Sequence, residues 1–244
     1  MTLSLARRAA AEFTGTALLV TAVVGSGIAA TRLSPHDVGL ELLENSIATG
    51  LALGALILMF AAASGAHFNP VVSLVDWWLH RRDPRGVSAR DLVAYVPAQI
   101  AGAICGAVLA DVMFGVPAVA WSTTSRTGGR LWLAEVVATA GLLLLIFALA
   151  RTGRPTATPA AVGAYIGAAY WFTSSTSFAN PAVTIGRTFT NTFAGISPAS
   201  VPGFVVAQFV GAIVAAAAIT VWYPRPVSGN VVEPVTRATI GASR

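Results

Sequence analysis

Residues 177–187 read SFANPAVTIGR, and they interrupt one of the most apolar parts of the chain with an Asn, a Pro and hydroxyl side chains. Residues 67–80, HFNPVVSLVDWWLH, repeat the interruption in the first half. Asn is a favoured helix N-cap, because its side-chain oxygen accepts from free N–H groups of the first turn. Pro in the first helical position has no N–H to leave unpaired. Each Asn-Pro pair therefore reads as a helix start, giving apolar pieces over about 69–80 and 180–191. At about 1.5 Å per residue, each reaches only about halfway through a 30 Å hydrocarbon core. Two such pieces make one crossing between them.

The rest of the chain is consistent with a bilayer setting. It has 244 residues, 55% hydrophobic and 10% charged, with a mean hydropathy of +0.73. A soluble domain carries about 25% charged residues, so too little polar surface remains to cover a water-soluble globule. Six long apolar spans, about 8–31, 42–65, 90–113, 131–151, 157–177 and 201–223, each approach the roughly 20 residues a crossing needs. The fold class is an all-α membrane protein, with six transmembrane helices and two re-entrant half-helices.

All fifteen basic residues are Arg, and they fall in short clusters between spans rather than on one stripe. That placement argues against nucleic-acid binding and serves orientation instead. Arg7, Arg8, Arg81, Arg82, Arg85, Arg90, Arg151, Arg154, Arg225, Arg237 and Arg244 share one face; Arg32, Arg126, Arg130 and Arg187 share the other. The Arg-rich face is cytoplasmic by the positive-inside rule. This predicts both termini inside, a cytoplasmic tail over 224–244, and a multi-pass protein of the inner (plasma) membrane. Trp77, Trp78, Trp132 and Trp222 fall near span ends, as an interfacial aromatic belt would. The N-terminal apolar run lacks a small-residue cleavage site and reads as a first span. Cys105 is the single cysteine and allows no internal disulfide.

The chain also repeats itself. AEFTGTALLV (11–20) matches AEVVATAGLL (134–143), FNPVV (68–72) matches ANPAV (179–183), and VPAQIAGAICGAVLA (96–110) matches VVAQFVGAIVAAAAI (205–219). The order Glu12, Asn69, Gln99 recurs as Glu135, Asn180, Gln208. Three spans per half is an odd number, so the halves, about 1–115 and 131–223 of one channel domain over 1–244, lie upside-down to one another. Inverted repeats with interrupted helices place a pathway at the midplane. Broken backbone at that depth survives only inside protein or along a wet cavity. Both half-helices then start at the membrane centre, each with a partial positive charge of roughly +0.5 and a donating amide. Such a site attracts a solute oxygen and repels cations.

SGAHFNPVV and SFANPAV, with AEF and AE opening the halves, resemble the major intrinsic protein family of aquaporins and aquaglyceroporins over essentially the whole chain. The resemblance implies a passive pore in each protomer of a homotetramer embedded in lipid. Its pore motifs are Asn69, Pro70, Val71 and Asn180, Pro181, Ala182, with Val71 standing where the family usually has Ala. It also implies that Glu12 and Glu135, with Gln99 and Gln208, brace the re-entrant loops. A second constriction falls by the same resemblance on Thr49, Ala168, Ser177 and Val183, the last replacing the family's usual Arg. Such an opening is wider, with two hydroxyls and no fixed cation. The expectation is passage of small uncharged solutes: glycerol-like polyols, urea-like amides, undissociated metalloid hydroxides such as arsenite, and water. The stretch FTSSTSFANPAVTIGR also resembles a bacterial aquaglyceroporin branch linked to arsenic handling. The alternatives are an anion-permeable or a predominantly water-selective channel.

Two pore-adjacent residues admit two readings each. Arg187 lies one turn beyond Val183 and is either a displaced filter charge over the outer vestibule or a group at the helix end meeting headgroups. His67 either faces the inner pore or packs as a loop brace. The small residues Gly102, Gly106 and Gly211 suit close helix contacts. No catalytic residue is expected: three scattered His and one Cys supply neither a nucleophile–base pair nor a metal cluster, so the reading includes no enzyme, metal or cofactor.

Overall fold

The computed structural model describes residues 3–81 and 86–224. Their regular structure is helical: α1 Leu5–Leu33, α2 Val38–Ser64, α3 Pro70–His80, α4 Ala89–Met113, α5 Gly129–Arg151, α6 Thr158–Phe172, α7 Pro181–Gly186 and α8 Val201–Trp222. Short 3-10 turns precede α6 (Pro155–Ala157) and α8 (Pro198–Ser200), and one follows α7 (Arg187–Phe189). Among the described residues, five helices are long and apolar enough to cross a membrane: α1, α2, α4, α5, and α8 with the turn before it.

Two elements are shorter than the sequence predicts. The span expected over 157–177 ends at Phe172, where the run Thr173, Ser174, Ser175 begins. Hydroxyl side chains compete for backbone bonds: Thr173 bonds back to the Ala169 carbonyl, and Thr176 and Ser177 adopt left-handed φ of 61° and 52°. The half-helix expected over 180–191 leaves α-geometry after Gly186 and tightens into a 3-10 turn. Its counterpart α3 runs 11 residues to His80, close to expectation. The predicted tail beyond Pro224, with Arg225, Arg237 and Arg244, lies outside the described residues, as do Arg82 and Arg85.

Burial is arranged for lipid. Ile47, Leu51 and Leu58 of α2 and Val206, Ile213 and Val221 of α8 are exposed, whereas Glu12, Gln99, Glu135 and Gln208 are fully buried. With lipid outside, an outward face needs no polar residues, and the polar groups collect where they have partners.

Packing follows the repeat. α1 lies against α2 and α4, α5 lies against α8, and α2 meets α6 across the two halves. Glycines set the closest approaches: a methyl at Gly102 or Gly106 of α4 would drive into the carbonyl of Phe13 or Ala17 on α1. Gly50 and Gly163 face each other in the same way where α2 crosses α6. Such small-residue contacts hold helices together where lipid offers no hydrophobic drive. The frame leaves α3 seated on α4 and α8, and α7 on α4, α8 and α3, so the two half-helix starts meet inside the bundle.

Candidate pore and its constriction

The two loops that carry the Asn-Pro pairs are built alike. Before Asn69, Ala66 and Phe68 take φ of 53° and 51°; before Asn180, Ser177 and Ala179 take 52° and 49°. These are left-handed, non-glycine positions that cost of order 1 kcal/mol each unless the surroundings hold them. A buried carboxylate holds each loop. Glu12 Oε1 accepts from the Ser64 hydroxyl (2.6 Å) and the His67 N–H (3.0 Å), and its Oε2 from the Phe68 N–H (2.6 Å) and Gln99 Nε2 (2.8 Å). Glu135 does the same: Oε1 takes the Ser175 hydroxyl (2.7 Å) and Phe178 N–H (2.9 Å), and Oε2 takes the Ala179 N–H (2.8 Å) and Gln208 Nε2 (2.7 Å). The glutamines reach on to Ser73 (3.0 Å) and Thr184 (2.9 Å) of the half-helices. Four bonds to one carboxylate satisfy a charge that would be untenable alone at this depth.

The half-helices are capped by the residues that the sequence singles out. Asn69 Oδ1 accepts from the Val71 N–H at 3.1 Å, and Asn180 Oδ1 from the Ala182 and Val183 N–H groups at 2.9 and 3.3 Å. Pro70 and Pro181 occupy the first helical positions. The amide nitrogens cross between halves. Asn69 Nδ2 donates to the Ala179 carbonyl (2.8 Å), and Asn180 Nδ2 to the Phe68 carbonyl (2.7 Å). Each –NH₂ thus uses one N–H to tie the two tips and keeps a second for another acceptor.

A cavity of about 200 Å³ runs along this junction, and both Asn69 and Asn180 line it. Thr49, Ser177 and Val183 also line it, as does His67; Ala168 does not. Ala168 sits on the exposed face of α6, which corrects its assignment to the constriction. The α6 residues on the cavity are Thr158, Val162, Ile166 and Tyr170, spaced four apart along one helical stripe, which puts Tyr170 and not Ala168 on the cavity side. Tyr170 donates its hydroxyl to Thr49 at 3.2 Å. The Ser177 hydroxyl is buried without a partner among the described residues. Val71 is fully buried and packs with Val72, Val75 and Leu143 rather than lining the cavity.

His67 is among the residues that line the cavity, and its Nδ1 pairs with the Ser73 hydroxyl at 3.0 Å. Arg187 is 3% exposed and lines the cavity, so it does not reach headgroups. Its guanidinium lies 3.5 Å from the centroid of the Phe178 ring, and its Nε donates to the Ala194 carbonyl. Sequence reasoning missed Tyr170, Phe178, Asp76 and His80 as cavity residues. The i, i+4, i+8 run of α6 was the available signal for Tyr170. Phe178, placed by the loop turn, had none.

Comparison with known proteins adds the following. The family described as Major intrinsic protein matches residues 1–178 and 161–243. The chain is 51% identical over 235 residues to the aquaglyceroporin AqpS of Rhizobium meliloti (strain 1021), covering 96% of this chain and 95% of that one. It is 33% identical over 225 residues to the glycerol uptake facilitator protein of Pseudomonas aeruginosa, covering 79% and 77%. The fold is similar to that in the X-ray structure of the aquaglyceroporin from Plasmodium falciparum, with a TM-score of 0.67, 23% identity, and coverage of 88% and 96%.

Proposed function

This chain belongs to the major intrinsic protein family, and on that premise we propose that it is a passive channel for small uncharged solutes. The observation that carries the reading is the cavity lined by both Asn amides where the two half-helices meet. Each amide keeps one N–H for a solute oxygen, and the apolar residues Leu19, Val23, Leu53 and Val162 form much of the opposite wall. A hydroxylated solute exchanges its water for those donors along one side and slides its carbon skeleton along the other. Among the described residues, the junction of the two tips offers an ion no ring of oxygens to replace a full hydration shell.

The solutes that fit are glycerol-like polyols and urea-like amides, with water and undissociated metalloid hydroxides such as arsenite in the same class of small neutral hydrogen-bonders. Names of similar proteins, an aquaglyceroporin and a glycerol uptake facilitator, support the polyol reading. The constriction is formed by Thr49, Tyr170, Ser177, Val183 and Arg187, with Tyr170 rather than Ala168 contributed by α6. The protein is a multi-pass membrane protein of the inner membrane with both termini cytoplasmic, assembled as a homotetramer of separate pores, and it performs no catalysis. The two loop braces built on Glu12 and Glu135 keep the junction in register.

Reconstitution into liposomes tests the reading. Glycerol-driven swelling well above protein-free vesicles is expected, with measurable water flux and little ionic current. Current carried by anions without polyol flux would instead support the anion-permeable channel, which Arg187 on the cavity wall favours. Osmotic water flux without glycerol or urea entry would support the water-selective one.

A further inference from the structure

Position seven after each Asn-Pro asparagine carries a charge on the cavity wall, and the two charges are opposite in sign. Asp76 follows Asn69 by seven residues and Arg187 follows Asn180 by seven, and both line the same cavity. The half-helices run away from the shared tips, so the repeat sends these two side chains to opposite ends. Asp76 stands with His80, Ala150 and Thr158, where α3 and α5 finish and α6 begins; Arg187 stands with Thr49, Tyr170 and Phe178.

Each charge is fixed in place. Asp76 Oδ2 accepts from the Val87 N–H at 2.8 Å, and Oδ1 lies 2.9 Å from His80 Nδ1. Among the described residues, the titratable groups around it are His80 on its own helix, His67 on the preceding loop and Tyr95 on α4. Arg187 is held by the Ala194 carbonyl and the Phe178 face. A second arginine secures that seat: Arg126 Nε donates to the Gly195 carbonyl at 2.9 Å and its Nη2 to the Phe193 carbonyl at 3.3 Å, on either side of Ala194. Its guanidinium also lies 5.2 Å from the Phe178 centroid. Arg187 forms no ion pair among the described residues and lines the cavity.

We propose that Asp76 and Arg187 are opposed charge stations that together exclude ions of both signs, with Arg126 positioning the cationic one; this rests on the channel reading above. A cation attracted past Asp76 meets Arg187 in a low-dielectric wall, and an anion attracted past Arg187 meets Asp76. A neutral solute pays neither penalty and gains hydrogen bonds from the guanidinium fork.

The test is ion leak into liposomes at about pH 8, where imidazoles are neutral, with potassium and nitrate as the probes. Wild type is expected to hold back both. Arg187→Gln is expected to raise potassium leak about tenfold with nitrate leak no higher, and Asp76→Asn to raise nitrate leak about tenfold with potassium no higher. Arg187→Lys and Asp76→Glu keep the charges and are expected to stay tight. Arg126→Gln is expected to raise potassium leak by a smaller factor, and Arg126→Lys to recover part of it. The exposed Arg130→Gln serves as the control and stays at wild type.

A wild type that leaks one sign only overturns the proposal without any variant. Equal leak of both ions in the Gln and Asn variants, or leaky Lys and Glu variants, would mean that packing rather than charge is responsible. Wild-type tightness for Arg126→Gln removes the positioning role. Absent glycerol swelling in wild type is a separate result, and it counts against the neutral-solute reading alone.

Discussion

From Ser64 to His80 and from Ser175 to Phe189, the chain enters the bundle twice through nearly the same set of bonds. A serine hydroxyl, two loop N–H groups and a glutamine converge on one glutamate, and an asparagine caps a half-helix while tying its tip to the other loop. Away from the tips the two segments part company. α3 continues for 11 residues and ends in Asp76 and His80, whereas α7 runs six and turns sharply so that Arg187 folds onto Phe178. The tips must match, because each completes the other. Among the described residues the far ends share no partner, and on the channel reading proposed above it is the unmatched residues that would sort solutes.

The matched half of this comparison is the easier to break. Glu12→Gln and Glu135→Gln each turn an acceptor of several buried donors into a group that presents N–H to N–H. Each is expected to lose about 3 kcal/mol or more, read as a fall in thermal midpoint in detergent. The two losses should agree within about 1 kcal/mol, and a large inequality would mean that the braces are alike in geometry only. Asn69→Asp and Asn180→Asp come next. Each places a carboxylate oxygen where the amide donated to a carbonyl at 2.7–2.8 Å, and glycerol-driven swelling is expected to drop about tenfold in both. Unimpaired flux in either one would remove the paired caps from the pathway.

The unmatched half is probed by smaller changes. Tyr170→Phe deletes the hydroxyl that holds Thr49 at 3.2 Å; a change in the glycerol-to-urea flux ratio of about two- to threefold is expected. Ser177→Ala removes a buried hydroxyl with no partner among the described residues. It should leave stability within about 0.5 kcal/mol while lowering glycerol flux less than Tyr170→Phe does. A larger effect than that of Tyr170 would shift the weight of discrimination from the α6 side to the loop.

Much of the junction was legible because it rests on rules that act within a few residues. Asn followed by Pro in an apolar run reports a helix start, and the repeated order Glu, Asn, Gln reports that three groups are held in one relation twice. The constriction was less legible. The α6 residue on the cavity depends on the rotation of a helix with no fixed landmark, so counting back from Asn180 lands on Ala168, two positions from Tyr170. Arg187 could be counted from Asn180, but its inward fold depends on where Ala194 and Phe178 come to rest, more than one loop away. The early ends of α6 and α7 were hidden for a related reason, since hydropathy continues past the point where hydroxyls and a tight turn take over the backbone bonds.

The crossed amides also set an order of events at the ribosome. When the first half has been made, the Phe68 carbonyl and the Asn69 amide have no counterparts, since Asn180 and Ala179 are still to be synthesised. The leading half must therefore wait in the bilayer with its loop unfinished and one wall of the lumen missing. On the channel reading proposed above, the lumen of such a chain is complete only once the second half has been added.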